Sequence, residues 1–337
     1  MNKSEVYDKI LKEFSQRILL LDGAMGTMIG ELNSGEEDCK TRCSCHSKIE
    51  LNAGCPDLLC LTRPEIVSEI HRRYLEAGAD LIKTNSFNSN TLSLSDYGLQ
   101  DYAYEISFSA ASIAKKEAEQ FNSLTPEKPR FVVGTVGPTN KIISCPSDIT
   151  NEECFVRLVN AFIPPIEGLI KGGADIILLE TFFDILNAKA AIRAFDTVTK
   201  KIGCRIPLMV SATISETDGR LLSGHTIETF YKSVLHADLL SVGLNCSYGP
   251  KPIIPHIASL SRIANCFTSC HPNAGLPNET GKYIETPATF ARSVKEMAAH
   301  GYVNIVGGCC GTTPEHIYEI TKFIRNFPPR KFPKFSD

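Results

Sequence analysis

No apolar run in this sequence has the length of a membrane span: ILLLDGAMGTMI, residues 18–29, is interrupted by Asp22 and by glycines. Nor is there a surplus of positive charge. Lysine and arginine number 35 against 38 acidic residues, a formal charge of −3, which leaves no basic stripe for nucleic acid. The opening stretch MNKSEVYDKILKEFSQR carries both signs and lacks the apolar segment of a secretion signal. No His-x-His pair closes any apolar run, which disfavours a hydrolytic zinc barrel. What remains is a cytoplasmic chain with no membrane or nucleic-acid partner. Its 13 cysteines are odd in number, scattered and expected to be reduced. Clustered thiols in that setting point to metal more than to disulfides.

The 337 residues, 43% hydrophobic, can bury one large core or two ordinary ones. Their pattern repeats: an amphipathic stretch, a Gly or Asp, then a short β-branched run ending in polar residues. Eight runs recur, at 18–24, 81–86, 131–138, 176–182, 207–214, 239–246, 266–272 and 303–310. Nearly continuous apolar runs indicate strands buried on both faces, as in a parallel sheet. Helix starts lie between them, with capping-box patterns at Thr62 to Glu65, Thr150 to Glu153 and Thr312 to Glu315. Eight βα units in this length predict a single-domain TIM (β/α)8 barrel over residues 1–325, with a tail or linker over 326–337. Long loops at 30–60 and 139–152 would cover the active face. Pro164-Pro165 is awkward inside a helix and predicts a break or a helix start. An internal echo, EAGADLIKTNSF (76–87) against KGGADIILLETF (171–182), aligns without gaps and sets Asn85 level with Glu180.

Barrel enzymes carry their chemistry at the C-terminal ends of the strands. Here those ends hold Asp22, Asn85, Glu180, Asn245, Cys246, Cys309 and Cys310. Adjacent cysteines in a regular strand would face opposite sides. Gly307, Gly308 and Gly311 permit a sharp turn that brings Cys309 and Cys310 together. A buried inert pair or a vicinal disulfide is the competing reading. With Cys246, three thiolates and a vacant fourth position describe a catalytic zinc site. Zinc with three thiolates carries a net charge of −1, a poor Lewis acid for water but a good holder of a fourth, electron-rich thiolate. The implied reaction is alkyl transfer to a thiol.

DGAMGT (22–27), EAGADLIKTNSF, GPTN (137–140), LLETFFDILNAKAA (178–191), GLNCSYGP (243–250), HPNAGLPN (271–278) and GGCCGTTPEHI (307–317) carry a resemblance. Over about residues 15–320 the chain resembles the homocysteine S-methyltransferase family, and within it the homocysteine-binding domain of cobalamin-dependent methionine synthase. The resemblance implies that Cys246, Cys309 and Cys310 ligate Zn2+ and that the homocysteine thiolate, on the fourth position, is the nucleophile. It implies that Glu180 holds the substrate ammonium, that the Asp22-Gly23-Ala24 turn binds the amino-acid end, and that Asn85 and Asn245 add polar contacts. Glu180, Asp22 and Asn85 are the candidate catalytic residues. The methyl group would come from methylcobalamin, not bound by this chain alone but carried on a partner, alongside a folate-binding module. A sulfonium donor such as S-methylmethionine, or a thiol-binding module without catalysis, are the alternatives. Glu180 could instead form a core ion pair with Lys189, and Asp22 could simply cap a turn. Cys39, Cys43, Cys45, His46 and Cys55 depart from the family; they could bind a second metal, but without a regular pair spacing they read more readily as loop thiols. Cys60, Cys145, Cys154, Cys204, Cys266 and Cys270 read as core or incidental thiols, and His271 as a structural imidazole near the substrate.

Overall fold

The computed structural model describes residues 3–33, 54–140 and 150–333. The eight runs become strands β1 (Leu19–Leu20), β2 (Leu81–Lys83), β3 (Phe131–Val136), β4 (Ile176–Phe182), β5 (Leu208–Ala212), β6 (Leu239–Cys246), β7 (Phe267–Pro272) and β8 (Ile305–Val306). A barrel helix follows each: α1 (Pro64–Glu76), α2 (Ala103–Leu124), α3 (Asn151–Gly172), α4 (Ile185–Ile202), α5 (Ile227–Val234), α6 (Pro250–Ile263), α7 (Pro287–Ala299) and α8 (Pro314–Ile324). Every strand pairing is parallel, in the order β1-β8-β7-β6-β5-β4-β3-β2. A parallel bridge from Leu21 to Leu81 joins the two ends, giving the expected TIM barrel.

The barrel interior explains where the site lies. At its lower level Leu81, Val133, Leu178 and Met209 pack on Ile10 and Phe14 of the helix Lys3–Gln16, which plugs the N-terminal end. Each such side chain contributes roughly 1.5–3 kcal/mol on burial. Side chains two apart share a strand face, and two residues further on that face turns polar. Lys83 follows Leu81, Thr135 follows Val133, Glu180 follows Leu178 and Ser211 follows Met209, all buried. An apolar floor beneath a polar mouth is therefore written into the strands at period two.

The echo has a structural cause. Gly78 (φ 107°) and Gly173 (φ 105°) end their helices in the left-handed region. The next Asp then stitches its strand to the neighbour: Leu20 N donates to Asp80 Oδ2 and Val132 N to Asp175 Oδ2, each at 2.9 Å. A cation that precedes the neighbouring strand in the chain faces each carboxylate, Arg17, before β1, on Asp80 at 2.8 Å and Lys115, on α2 before β3, on Asp175 at 2.7 Å.

Several expectations need correction. α3 runs unbroken through Pro164 and Pro165. Its lost hydrogen bonds are offset by close packing on α2, where a Cβ on Gly168 or Gly172 would meet a backbone carbonyl oxygen at 2.5 or 2.4 Å. The capping box at Thr150 forms. That at Thr62 does not, because its hydroxyl donates to Leu58 O at 3.2 Å. The box expected at Thr312 sits one residue later, between Thr313 and His316. Cys154 is disulfide-bonded and not a free thiol. Within the segment read as a tail, Arg330 is buried and donates to Ser261 O and Cys266 O, each at 2.9 Å. Cys39, Cys43, Cys45, His46 and Cys145 lie outside the described residues. Cys55 is buried in an apolar cluster with Leu58 and Leu94.

Candidate active site

Three sulfurs meet at the mouth. The Sγ atoms of Cys246, Cys309 and Cys310 all lie within 4.8 Å of one another, all partly accessible. Cys246 ends β6 with φ 57°, and Ser247 follows at φ 63°, an uncommon conformation for residues with a Cβ. Ser247 Oγ holds that bend through Ile214 N at 3.0 Å. Strand β8 stops at Val306, so the cysteine pair occupies a turn and not a strand, which solves the opposite-face problem. Cys309 N donates to Pro272 O at 2.8 Å, Thr312 Oγ1 donates to Cys309 O at 2.6 Å, and Ala274 N donates to Cys310 O at 2.9 Å. Gly311 (φ 78°) is obligatory: a Cβ there would sit 2.1 Å from the Tyr283 ring.

The sulfurs share hydrogen bonds, and this drives their acidities apart. Cys310 accepts from Cys246, from Cys309 and from Tyr283, and falls to about 3. Cys246, bonded to Cys309 and Cys310, is pushed far up. Three converging sulfurs of this kind are a donor set suited to a soft cation.

The charged groups come from other strands. Glu180 is buried on β4, and its Oε2 lies 3.0 Å from His271 Nε2 on β7. Its partner is therefore His271 and not Lys189. The next residue, Thr181, has φ 67°. Asn245 fixes this kink: its Oδ1 accepts from Thr181 N at 2.8 Å and Ser211 Oγ at 2.6 Å, and its Nδ2 donates to Thr181 Oγ1 at 2.7 Å. Asn245, expected to touch substrate, is thus bonded to the barrel wall at Thr181, the residue after Glu180. Asn85 is likewise engaged, donating from Nδ2 to Pro56 O at 2.9 Å.

Asp22 Oδ2 accepts from Lys83 N at 2.8 Å, while its buried Oδ1 makes no hydrogen bond. Burial pushes Asp22 up to about 7, with Lys83 pulling the other way. At Gly23 a Cβ would strike Tyr74 Oη and Thr312 Oγ1 at 2.7 Å, so the chain turns tightly against α1 and the loop before α8. Ala24 N donates to Thr312 O at 3.3 Å. The 22–24 turn is thereby fastened to the loop that carries Cys309 and Cys310.

The homocysteine S-methyltransferase family model matches residues 19–324. The chain belongs to that family. Its members' methyl transfer to homocysteine fits a mouth that offers thiolates, carboxylates and an ammonium together. Structures of the homocysteine methyltransferase MmuM from Escherichia coli share the fold. The metallated form is 21% identical with a TM-score of 0.72, covering 94% of this chain and 99% of that one. The oxidized form is 22% identical with a TM-score of 0.69, covering 91% and 96%. Within this homocysteine methyltransferase, sequence reading passed over Lys83, Thr312 and Tyr283. Lys83 alone left a signal, since in the echo it replaces Leu178 on the inner face.

Proposed function

We propose that this homocysteine methyltransferase works through zinc held by Cys246, Cys309 and Cys310. The observation carrying this is the convergence of three sulfurs, from β6 and the loop after β8, within 4.8 Å. When bound, zinc would keep an added thiol deprotonated and electron-rich at neutral pH. The chain's own residues do the rest. Glu180, oriented by His271, accepts from the substrate ammonium, and Asp22 Oδ1 offers a second acceptor. The buried polar mouth fixes the sulfur toward the open face, where a methyl donor approaches. The sulfur's lone pair forms the new S–C bond, the donor keeps the electron pair of the broken bond, and the thiol proton passes to solvent.

The GLNCSYGP and HPNAGLPN segments support a methylcorrinoid on a partner as donor. Two measurements test the reading. Zinc-edge X-ray absorption should show a changed ligand sphere when L-homocysteine is added; an unchanged one would make the metal structural. Turnover should need methylcobalamin, free or on a carrier. Turnover with S-methylmethionine and no corrinoid would replace the donor with a sulfonium.

A further inference from the structure

An amino-acid substrate brings a carboxylate as well as an ammonium, and the anion needs a partner in a mouth already lined by Asp22, Glu180 and thiolates. Three cations are buried among the described residues: Lys83, Arg130 and Arg330. Arg130 precedes β3 and bonds to Thr125 O, and Arg330 lies beneath the start of β7 on Cys266 O. Both belong to the N-terminal end of the barrel. Lys83 closes β2 at the opposite end, with a side chain 10% exposed. It takes the inward direction of Leu81, two residues earlier.

Its ammonium has three donors. One goes to Gly308 O at 3.0 Å, and Asp22 Oδ1 lies at 3.6 Å, beyond a hydrogen bond. Burial opposes the charge, but Asp22, Glu180 and Cys309 together outweigh it and raise the Lys83 pKa. A fixed cation thus stands beside the acidic pair and the sulfurs, with donor capacity to spare.

We infer that Lys83 binds the α-carboxylate of the substrate and so selects an amino-acid thiol over a plain aminothiol. The zwitterion spans the mouth, its ammonium toward Glu180 and its carboxylate toward Lys83. This deepens the homocysteine reading above and rests on it.

The test uses zinc-loaded full-length protein, with metal content measured on each sample. Calorimetry compares L-homocysteine with 3-aminopropane-1-thiol, which has the same sulfur and amine but no carboxylate. The wild type should prefer homocysteine. Lys83→Met and Lys83→Gln should weaken homocysteine roughly 10- to 100-fold, the range of a charge-assisted hydrogen bond, and leave the aminothiol within about twofold. Retained aminothiol binding and zinc content show that the fold is intact. Equal losses for both ligands would overturn the assignment and make Lys83 a clasp between Gly308 and Asp22. Unchanged homocysteine binding would also overturn it, placing the carboxylate elsewhere. A wild type that binds neither ligand would bring down the homocysteine reading itself.

Discussion

Cys246 and Cys310 stand on different elements, and with Cys309 they form the only group of three metal-ligating side chains found among the described residues. Cys246→Ala or Cys310→Ala should abolish zinc retention and methyl transfer together, read by metal analysis and by methionine formation. Full activity in a metal-free variant would sink the mechanism. Glu180→Gln keeps the shape but loses the charge proposed to hold the substrate ammonium. It should raise the homocysteine KM roughly 10- to 100-fold with zinc still bound; loss of metal there would move Glu180 into the metal's support. Asp57 makes a separate pH probe, since the thiols it acts on are Cys55 and Cys60 and not the three site cysteines. Burial pushes it up to about 7, against one hydrogen bond from Asn88 N at 2.6 Å. Its folded pKa exceeds the unfolded one, so its stabilisation is complete at acid pH and is lost as pH rises from about 4 to 7. Asp57→Asn should therefore gain on the wild type between pH 5 and pH 8, by roughly 2–3 kcal/mol, in paired urea melts. A constant difference would show that Asp57 is ionised throughout. The cysteines were legible at this scale because glycines flank them. Lys83 was harder to read, since a lysine closing a strand usually points to water and only its alignment with Leu178 in the internal echo says that this one points inward.

At the scale of elements, α3 is the informative case. Two interior prolines predict a break, and the helix nonetheless continues because Gly168 and Gly172 let it lie directly on the α2 backbone. Gly168→Ala would drive a methyl to 2.5 Å from Tyr104 O. It should cost about 1–3 kcal/mol, seen as a lowered melting temperature with site chemistry preserved. A neutral result would mean that the helices separate without penalty. Propensity rules count hydrogen bonds within one helix, so tertiary packing of this kind is invisible to them. The misplaced capping box has a similar origin. Thr312 Oγ1 is drawn onto Cys309 O at 2.6 Å, and the capping role passes to Thr313. The strands, by contrast, were readable in number and place, because burial on both faces leaves a continuous apolar signature, although β1 and β8 are far shorter than the runs 18–24 and 303–310 that announce them.

For the whole molecule, strand number and parallel order followed from the repeat, whereas the depth of the mouth followed only from where each strand's inner face changes from apolar to polar. The closure itself is uneven. β1 gives two residues to β8 and a single bridge to β2, while β6 and β7 share six paired positions. The thin seam lies directly under Asp22 and Gly308, whose N–H donates to Asp22 O at 3.0 Å. Amide exchange at Leu21, Asp22 and Gly308 should slow about tenfold or more when homocysteine is added to zinc-loaded protein, with β4 and β5 unaffected. A uniform change around the ring would contradict this. A guest lodged between the 22–24 turn and the paired cysteines acts like the tongue of a buckle. It fastens the first strand to the last, so that keeping the cylinder shut and holding the reactant become a single event.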